Sequence, residues 1–166
     1  MTLNSLIKNI KWRLSKIFLS TEQRYWIEAK NKNNNFRDDK IIILDNYSTD
    51  APIRRHSKKR IICIYDNKIK NGGLADRLRG IVSVYEICKE QNLDFKILFT
   101  NPFNLSYFLV PNRVDWSIKN DELNYNTSIT NLCYIDTLTG SGHEARKQKQ
   151  WFRREFKKRY KEFHVR

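Results

Sequence analysis

Two adjacent glycines, Gly72 and Gly73, stand between a β-branched run and a run with helical periodicity, and three charged residues, Asp76, Arg77 and Arg79, follow closely. A chain that turns from strand into helix exposes the helix's first unpaired N–H groups, and glycines at the turn let a ligand come close to them. That chemistry suits an anion, a diphosphate in particular. The same residues fit an ordinary strand-to-helix turn in which Arg77 and Arg79 are solvated charges. Spacing excludes two common phosphate motifs, because the dinucleotide fingerprint needs a third glycine at its own interval and a P-loop needs Gly-Lys-Ser/Thr.

The elements that would position this turn are legible on both sides of it. Residues 60–66 are rich in β-branched side chains and read as a buried strand. After the glycines, Leu74, Leu78, Ile81, Val82, Tyr85 and Cys88 recur at three- and four-residue spacing. This predicts a helix to about residue 92 that buries those six, with Asp76, Arg79, Glu86 and Glu90 on the opposite face. Residues 95–99 are a further apolar strand, so strand, turn, helix and strand form a crossover unit of a parallel sheet. The expected fold class is therefore α/β and Rossmann-like. An earlier strand is expected at 41–45, followed by a turn-rich segment to Pro52. Later, Asn101-Pro102 opens a short helix carrying Phe103, Tyr107, Phe108 and Leu109 and ended by Pro111. Trp116 and Ile118 pack under a loop, residues 132–135 form a strand, and residues 139–142 break the chain. Residues 144–163 read as a basic helix whose Ala145, Phe152, Phe156, Tyr160 and Phe163 share one face, which packs on the domain.

A chain of 166 residues is one domain's worth, and 40% hydrophobic content is enough for a core. Cys63, Cys88 and Cys133 are odd in number and lie in apolar runs, which points to buried thiols of a reducing compartment. His56, His143 and His164 lack companion ligands at metal-site spacing, so no metal is expected. The net charge of +14 is concentrated at the two ends, since residues 1–20 carry four basic groups and no acid and residues 146–166 carry ten basic groups against two acids. A nucleic-acid domain would spread its cations over the folded surface, so nucleic acid is not the expected partner.

Within residues 1–20, Leu3, Leu6, Ile7, Ile10, Leu14, Ile17 and Phe18 fall within about a third of a helical wheel. Lys8, Lys11 and Lys16 lie off that face. The segment is too short and too charged to span a bilayer, and it suits a helix lying in the interface of an anionic membrane; packing on the protein's own core or on a partner is the competing reading. Residues 21–40 then form a polar linker, and the Rossmann-like domain occupies 41–166.

The segment 72–80, Gly-Gly-Leu-Ala-Asp-Arg-Leu-Arg-Gly, with its flanking strand and amphipathic helix, resembles the N-terminal glycine motif of GT-B glycosyltransferases of the fucosyltransferase superfamily, approximately Gly-Gly-Leu-Gly-Asn-Arg. Residues 94–99 and 101–105 extend the resemblance toward transferases of bacterial polysaccharide biosynthesis, over 60–118 in all. The resemblance implies a nucleotide-sugar donor such as GDP-fucose, a glycan acceptor, inversion at the anomeric carbon and no metal or other cofactor. By position, Gly72 and Gly73 match the family glycines and Arg77 the family arginine, which would stabilise diphosphate charge. Arg79 lies beside them in the donor and acceptor cleft. Ala75 replaces a glycine and Asp76 an asparagine, and the carboxylate there would repel a diphosphate unless Arg77 or Arg79 compensates. Asp76 would instead orient an acceptor hydroxyl or pair with an arginine.

In this family most donor contacts come from a second Rossmann-like domain, through a His-x-Arg-x-Gly-Asp-like segment that ends an apolar strand. The chain closes on His164-Val165-Arg166, but residues 159–163 before it do not read as an apolar strand, so the match is taken as coincidence. The expectation is the anchor and incomplete first domain of a transferase, with the remainder in cis or in trans, peripheral on the cytoplasmic membrane face. The alternative is a non-enzymatic basic protein that binds anionic lipid or nucleic acid through its helical ends.

Overall fold

A computed structural model describes residues 46–68, 72–134 and 142–166. The apolar helix at 1–20 with its membrane-contact residues, the linker at 21–40, the strand at 41–45 and the break at 139–141 lie outside the described residues. Four strands form one all-parallel sheet: β1 (Arg60–Tyr65), β2 (Asp94–Phe99), β3 (Thr130–Cys133) and β4 (Glu162–Val165), in the spatial order β2-β1-β4-β3. Helix α1 (Leu74–Glu90) connects β1 to β2, and helix α2 (Gly142–Glu155) stands between β3 and β4. The architecture is α/β and Rossmann-like in kind.

β1 is buried at every position from Ile61 to Tyr65, as expected of a central parallel strand covered on both faces. Its odd-numbered residues join Phe95, Ile97, Phe99, Phe163 and Val165 beneath the two helices, where Ile81, Val84, Ile87, Phe152 and Phe156 complete the larger core. Its even-numbered residues, Ile62 and Ile64, pack with Leu98, Ile118 and Leu123 on the other face. No α-helix covers that second face among the described residues. Two irregular segments do so, 46–58 and 116–126, tied together by the Asn126 Nδ2 bonds to Thr49 O (2.8 Å) and Ala51 O (2.6 Å). No helix among the described residues is long and apolar enough to cross a bilayer.

Several expectations are corrected. α1 buries Gly80, Ile81, Val84, Ile87 and Cys88, while Leu74, Leu78 and Val82 are exposed. A strict four-residue spacing advances about 40° further round the helix at each step and so leaves the buried face, whereas alternating three- and four-residue spacing stays on it. Glu86 and Glu90 do not point away from the protein's other elements either. They meet α2 through Lys149 Nζ (2.6 Å) and through Arg153, whose Nε and Nη2 reach the Glu90 carboxylate at 2.8 and 2.9 Å.

The expected helix after Asn101-Pro102 is a single 3-10 turn, Leu105–Tyr107, held by the Asn104 side chain accepting from Ser106 N at 3.1 Å. Phe103 turns inward onto Phe99, with ring centroids 5.6 Å apart, and Tyr107 to Val110 are left exposed. The largest correction concerns the C-terminal periodicity. α2 stops at Glu155, and the segment read as its continuation reverses into β4, wholly buried between β1 and β3. Phe152 and Phe156 pack on the core as expected, but Phe163 reaches the same core from a strand. At the chain's last residues the pattern Glu162-Phe163-His164-Val165 has period two, and the empty lane between two parallel strands supplies its hydrogen bonds.

Candidate functional site

The glycine turn lies where expected, at the carboxyl end of β1 and at the start of α1, with Gly73 as its N-cap. Neither glycine has a positive φ. Gly72 is needed for close approach, since a Cβ there would stand 3.1 Å from Asp76 Oδ2 and 3.2 Å from Asp76 Cβ. The space opened by that missing side chain is thus taken by a carboxylate of the same turn. Asp76 Oδ1 in turn lies 3.3 Å from Arg79 Nη1, so the acid of this motif is paired with its neighbouring arginine.

Arg77 braces the turn. Its Nε donates to Gly72 O at 2.9 Å, its Nη1 donates to Asn101 O beyond β2, and its guanidinium lies over the Tyr65 and Phe99 rings at 6.0 and 5.8 Å from their centroids. The residue spans two neighbouring loops at the carboxyl end of the sheet and keeps a positive charge between them. Its donors are directed at backbone carbonyls.

A second charged group belongs to the same end of the sheet. Asp66 follows β1 directly and Arg166 follows β4 directly, and because the strands are neighbours, Arg166 Nη1 reaches Asp66 Oδ1 at 2.6 Å. The Arg166 side chain is 1% exposed, yet its Nε and the Asp66 Oδ2 are buried without a hydrogen-bond partner. The guanidinium also interacts with the Tyr47 hydroxyl, so Asp66, Arg166 and Tyr47 form one buried polar group.

β4 also places two ionisable side chains on the face away from the helices, Glu162 and His164, both 0% exposed. Glu162 Oε1 accepts from Asn124 N at 2.7 Å and lies 2.7 Å from His164 Nε2. The Tyr47 hydroxyl lies 2.5 Å from His164 Nδ1. The consistent assignment is a neutral imidazole donating from Nε2 to the carboxylate and accepting at Nδ1 from the tyrosine. On the far side, His56 Nε2 stands 3.4 Å from Glu162 Oε2. Tyr47, His164, Glu162 and His56 thus form one polar line across the second face, with Tyr125 edge-on to Tyr47 and His164.

Burial pushes the Tyr47 hydroxyl upward against the lowering influence of Arg166, so it remains a donor. Burial likewise lowers His164 below its ordinary 6.5, outweighing the hydrogen bond to Glu162 that raises it. The folded state then resists a proton that the unfolded chain accepts, so stability is full above about pH 7 and falls as pH drops below about 6.5, by up to about 1.4 kcal/mol per unit. The groups facing the imidazole are Glu162, Tyr47, Tyr125, Asp66 and Arg166, with His56 beyond the carboxylate. Urea midpoints measured from pH 7.5 to 5.5 should decline, and His164→Gln should flatten the decline; an unchanged slope in that variant would refute the assignment.

The three cysteines are buried, as expected. Burial raises the Cys63 thiol well above its ordinary range and the Cys88 thiol to about 12, so these two thiols stay protonated and unreactive. Of the residues singled out from sequence, Gly72, Gly73, Asp76, Arg77 and Arg79 come together in one turn. Tyr47, Asp66, Glu162, His164 and Arg166 were missed as a group. The alternation of polar residues at 162, 164 and 166 with Phe163 and Val165 was the available signal, and a helical reading of the same stretch concealed it. Compared with known proteins, the chain matches no family model, no curated protein and no solved structure.

Proposed function

We propose that the chain is the first part of a glycosyltransferase of the fucosyltransferase type, transferring a sugar from a nucleotide-diphosphate donor such as GDP-fucose to a glycan acceptor of surface polysaccharide. The observation that supports the reading is the setting of the glycine turn: the segment that resembles the family motif opens α1 at the carboxyl end of β1, with Arg77 spanning from Gly72 O to Asn101 O and Arg166 ending the neighbouring strand.

Transfer from a nucleotide sugar requires stabilising negative charge on the departing diphosphate, which is chiefly electrostatic work. Arg166, buried beside Asp66 and Tyr47, lends its positive charge to this end of the sheet. Arg77 acts as a positioning residue that holds the turn and the loop after β2 while keeping its charge nearby. The first amides of α1 add a favourable dipole. Asp76, neutralised by Arg79, orients an acceptor hydroxyl in this reading. A further domain closes the cleft, and residues 1–20 hold the protein peripherally on an anionic cytoplasmic membrane face.

The test is an NMR titration of the full chain with GDP and GDP-fucose. Amide shifts at Gly72, Gly73 and Arg166 that saturate at millimolar ligand are expected, and Arg166→Ala should weaken binding about tenfold or more. Shifts confined to α2, or none at all, would remove the donor site from this chain.

A further inference from the structure

The amino end of the sheet, opposite the glycine turn, has a different character. β1 is entered through Ser57-Lys58-Lys59 and β4 through residues 157–161, which include Lys157, Lys158, Arg159 and Lys161. β1 and β4 are parallel neighbours with Arg60 opposite Glu162, so these two entry segments, about a hundred residues apart in sequence, lie side by side. Arg60 N donates to Lys161 O at 2.9 Å. Lys59 Nζ donates to Phe156 O at 2.8 Å and Lys158 O at 2.6 Å, closing the end of α2 and locking the segments together.

Six cations are thereby held at one pole. Lys158 is paired with Glu155. Lys58, Lys157, Arg159 and Lys161 are exposed, and among the described residues none has a carboxylate within ion-pair distance. Burial first and the charge of Lys161 second hold the Lys59 ammonium below its ordinary range, a sign that like charges are crowded here. Crowding of one sign opposes folding and favours a multivalent anion.

We propose that this pole docks on an anionic membrane surface through Lys58, Lys157, Arg159 and Lys161. A single-stranded nucleic acid is the less suited polyanion, because it is bound by cations interleaved with exposed aromatic rings. No ring at this pole is fully exposed: Phe156 and Phe163 are buried, and Tyr160, half-buried, packs edge-on against Phe163 with centroids 6.0 Å apart while the Arg159 guanidinium lies 5.9 Å from its centroid. A cationic pole and an apolar segment are also the two signals that together give stable peripheral attachment. Docking by this pole leaves the carboxyl end of the sheet turned away from the lipid and open to a water-soluble donor. The proposal takes only the peripheral placement from the function proposed above and is independent of the donor site.

The experiment is flotation of the full chain with phosphatidylcholine vesicles, with and without 30% phosphatidylglycerol, alongside binding to a single-stranded RNA at the same salt. The variant Lys58→Gln, Lys157→Gln, Arg159→Gln, Lys161→Gln should lose at least about thirtyfold in affinity for anionic vesicles. A control that removes the same charge elsewhere, Lys68→Gln, Lys89→Gln, Arg113→Gln, Lys119→Gln, should stay within about threefold, and circular dichroism must show both folded. Equal losses in the two variants, or no loss in the first, would overturn the pole while leaving peripheral placement intact. No binding of the unaltered chain to anionic vesicles would overturn both. Preference for RNA, lost in the pole variant, would assign the pole to nucleic acid and overturn the membrane assignment. GDP titration of the same variants keeps the donor site separate.

Discussion

Replacing Glu162 by alanine should destabilise the protein by about 3–5 kcal/mol, which is a large share of the 5–15 kcal/mol typical of a domain. The carboxylate is fully buried on a central strand, accepts from Asn124 N and His164 Nε2 at 2.7 Å each, and faces His56 Nε2 at 3.4 Å. Alanine leaves the amide and the imidazole N–H without an acceptor where water does not reach, and each such group costs about 1–3 kcal/mol. Glu162→Gln keeps an acceptor oxygen of similar size and should cost less than half as much. Urea unfolding of both variants at pH 7.5 checks the order. If Glu162→Ala falls within 1 kcal/mol of the unaltered protein, roughly the worth of one ordinary hydrogen bond, the polar line on β4 is not what holds that face together.

Phe163→Ala is expected to cost a similar amount, about 3–5 kcal/mol, for an apolar reason. The ring is 0% exposed, meets Phe156 and Tyr160 with centroids 5.4 and 6.0 Å away, and lies under the Lys59 ammonium at 5.6 Å. Its removal leaves a cavity between β4 and the end of α2 that rigid strands on either side cannot close. Tyr107→Ala is the comparison, since that ring is 81% exposed and its loss should stay within about 0.5 kcal/mol. A helical reading of residues 144–163 puts Phe163 on the same stripe as Phe152 and Phe156, so the loss alone does not separate strand from helix. Backbone nuclear Overhauser contacts do: Phe163 should show them to Ile61 of β1 and Asn131 of β3, which a helical segment does not make.

The core of the crossover unit was legible because its signals are local. β1 and β2 are short β-branched or aromatic runs bounded by turn residues, and α1 is a long periodic segment, so propensity, pattern and length agree. The face of α1 was misread because Leu74, Leu78 and Val82 are as apolar as the residues that are buried, and only the position of the sheet decides which stripe is covered. The C-terminal stretch was misread for a related reason. Lys157 to Lys161 and the aromatics around them satisfy a helical period, while the hydrogen bonds that make residues 162–165 a strand come from β3 and from β1, the latter about a hundred residues away.

By itself, then, the sequence determined the parallel α/β class, the glycine turn between β1 and α1, and the burial of the three thiols, because each follows from residues that are neighbours in the chain. Tertiary structure alone decided that Asp66 meets Arg166, that Tyr47, His164 and Glu162 form one line, and that Lys58 and Lys59 join Lys157 to Lys161. All three depend on β4 lying beside β1. That placement comes from pairing backbone groups across the sheet, and a backbone group carries no mark of its partner in the side chains next to it.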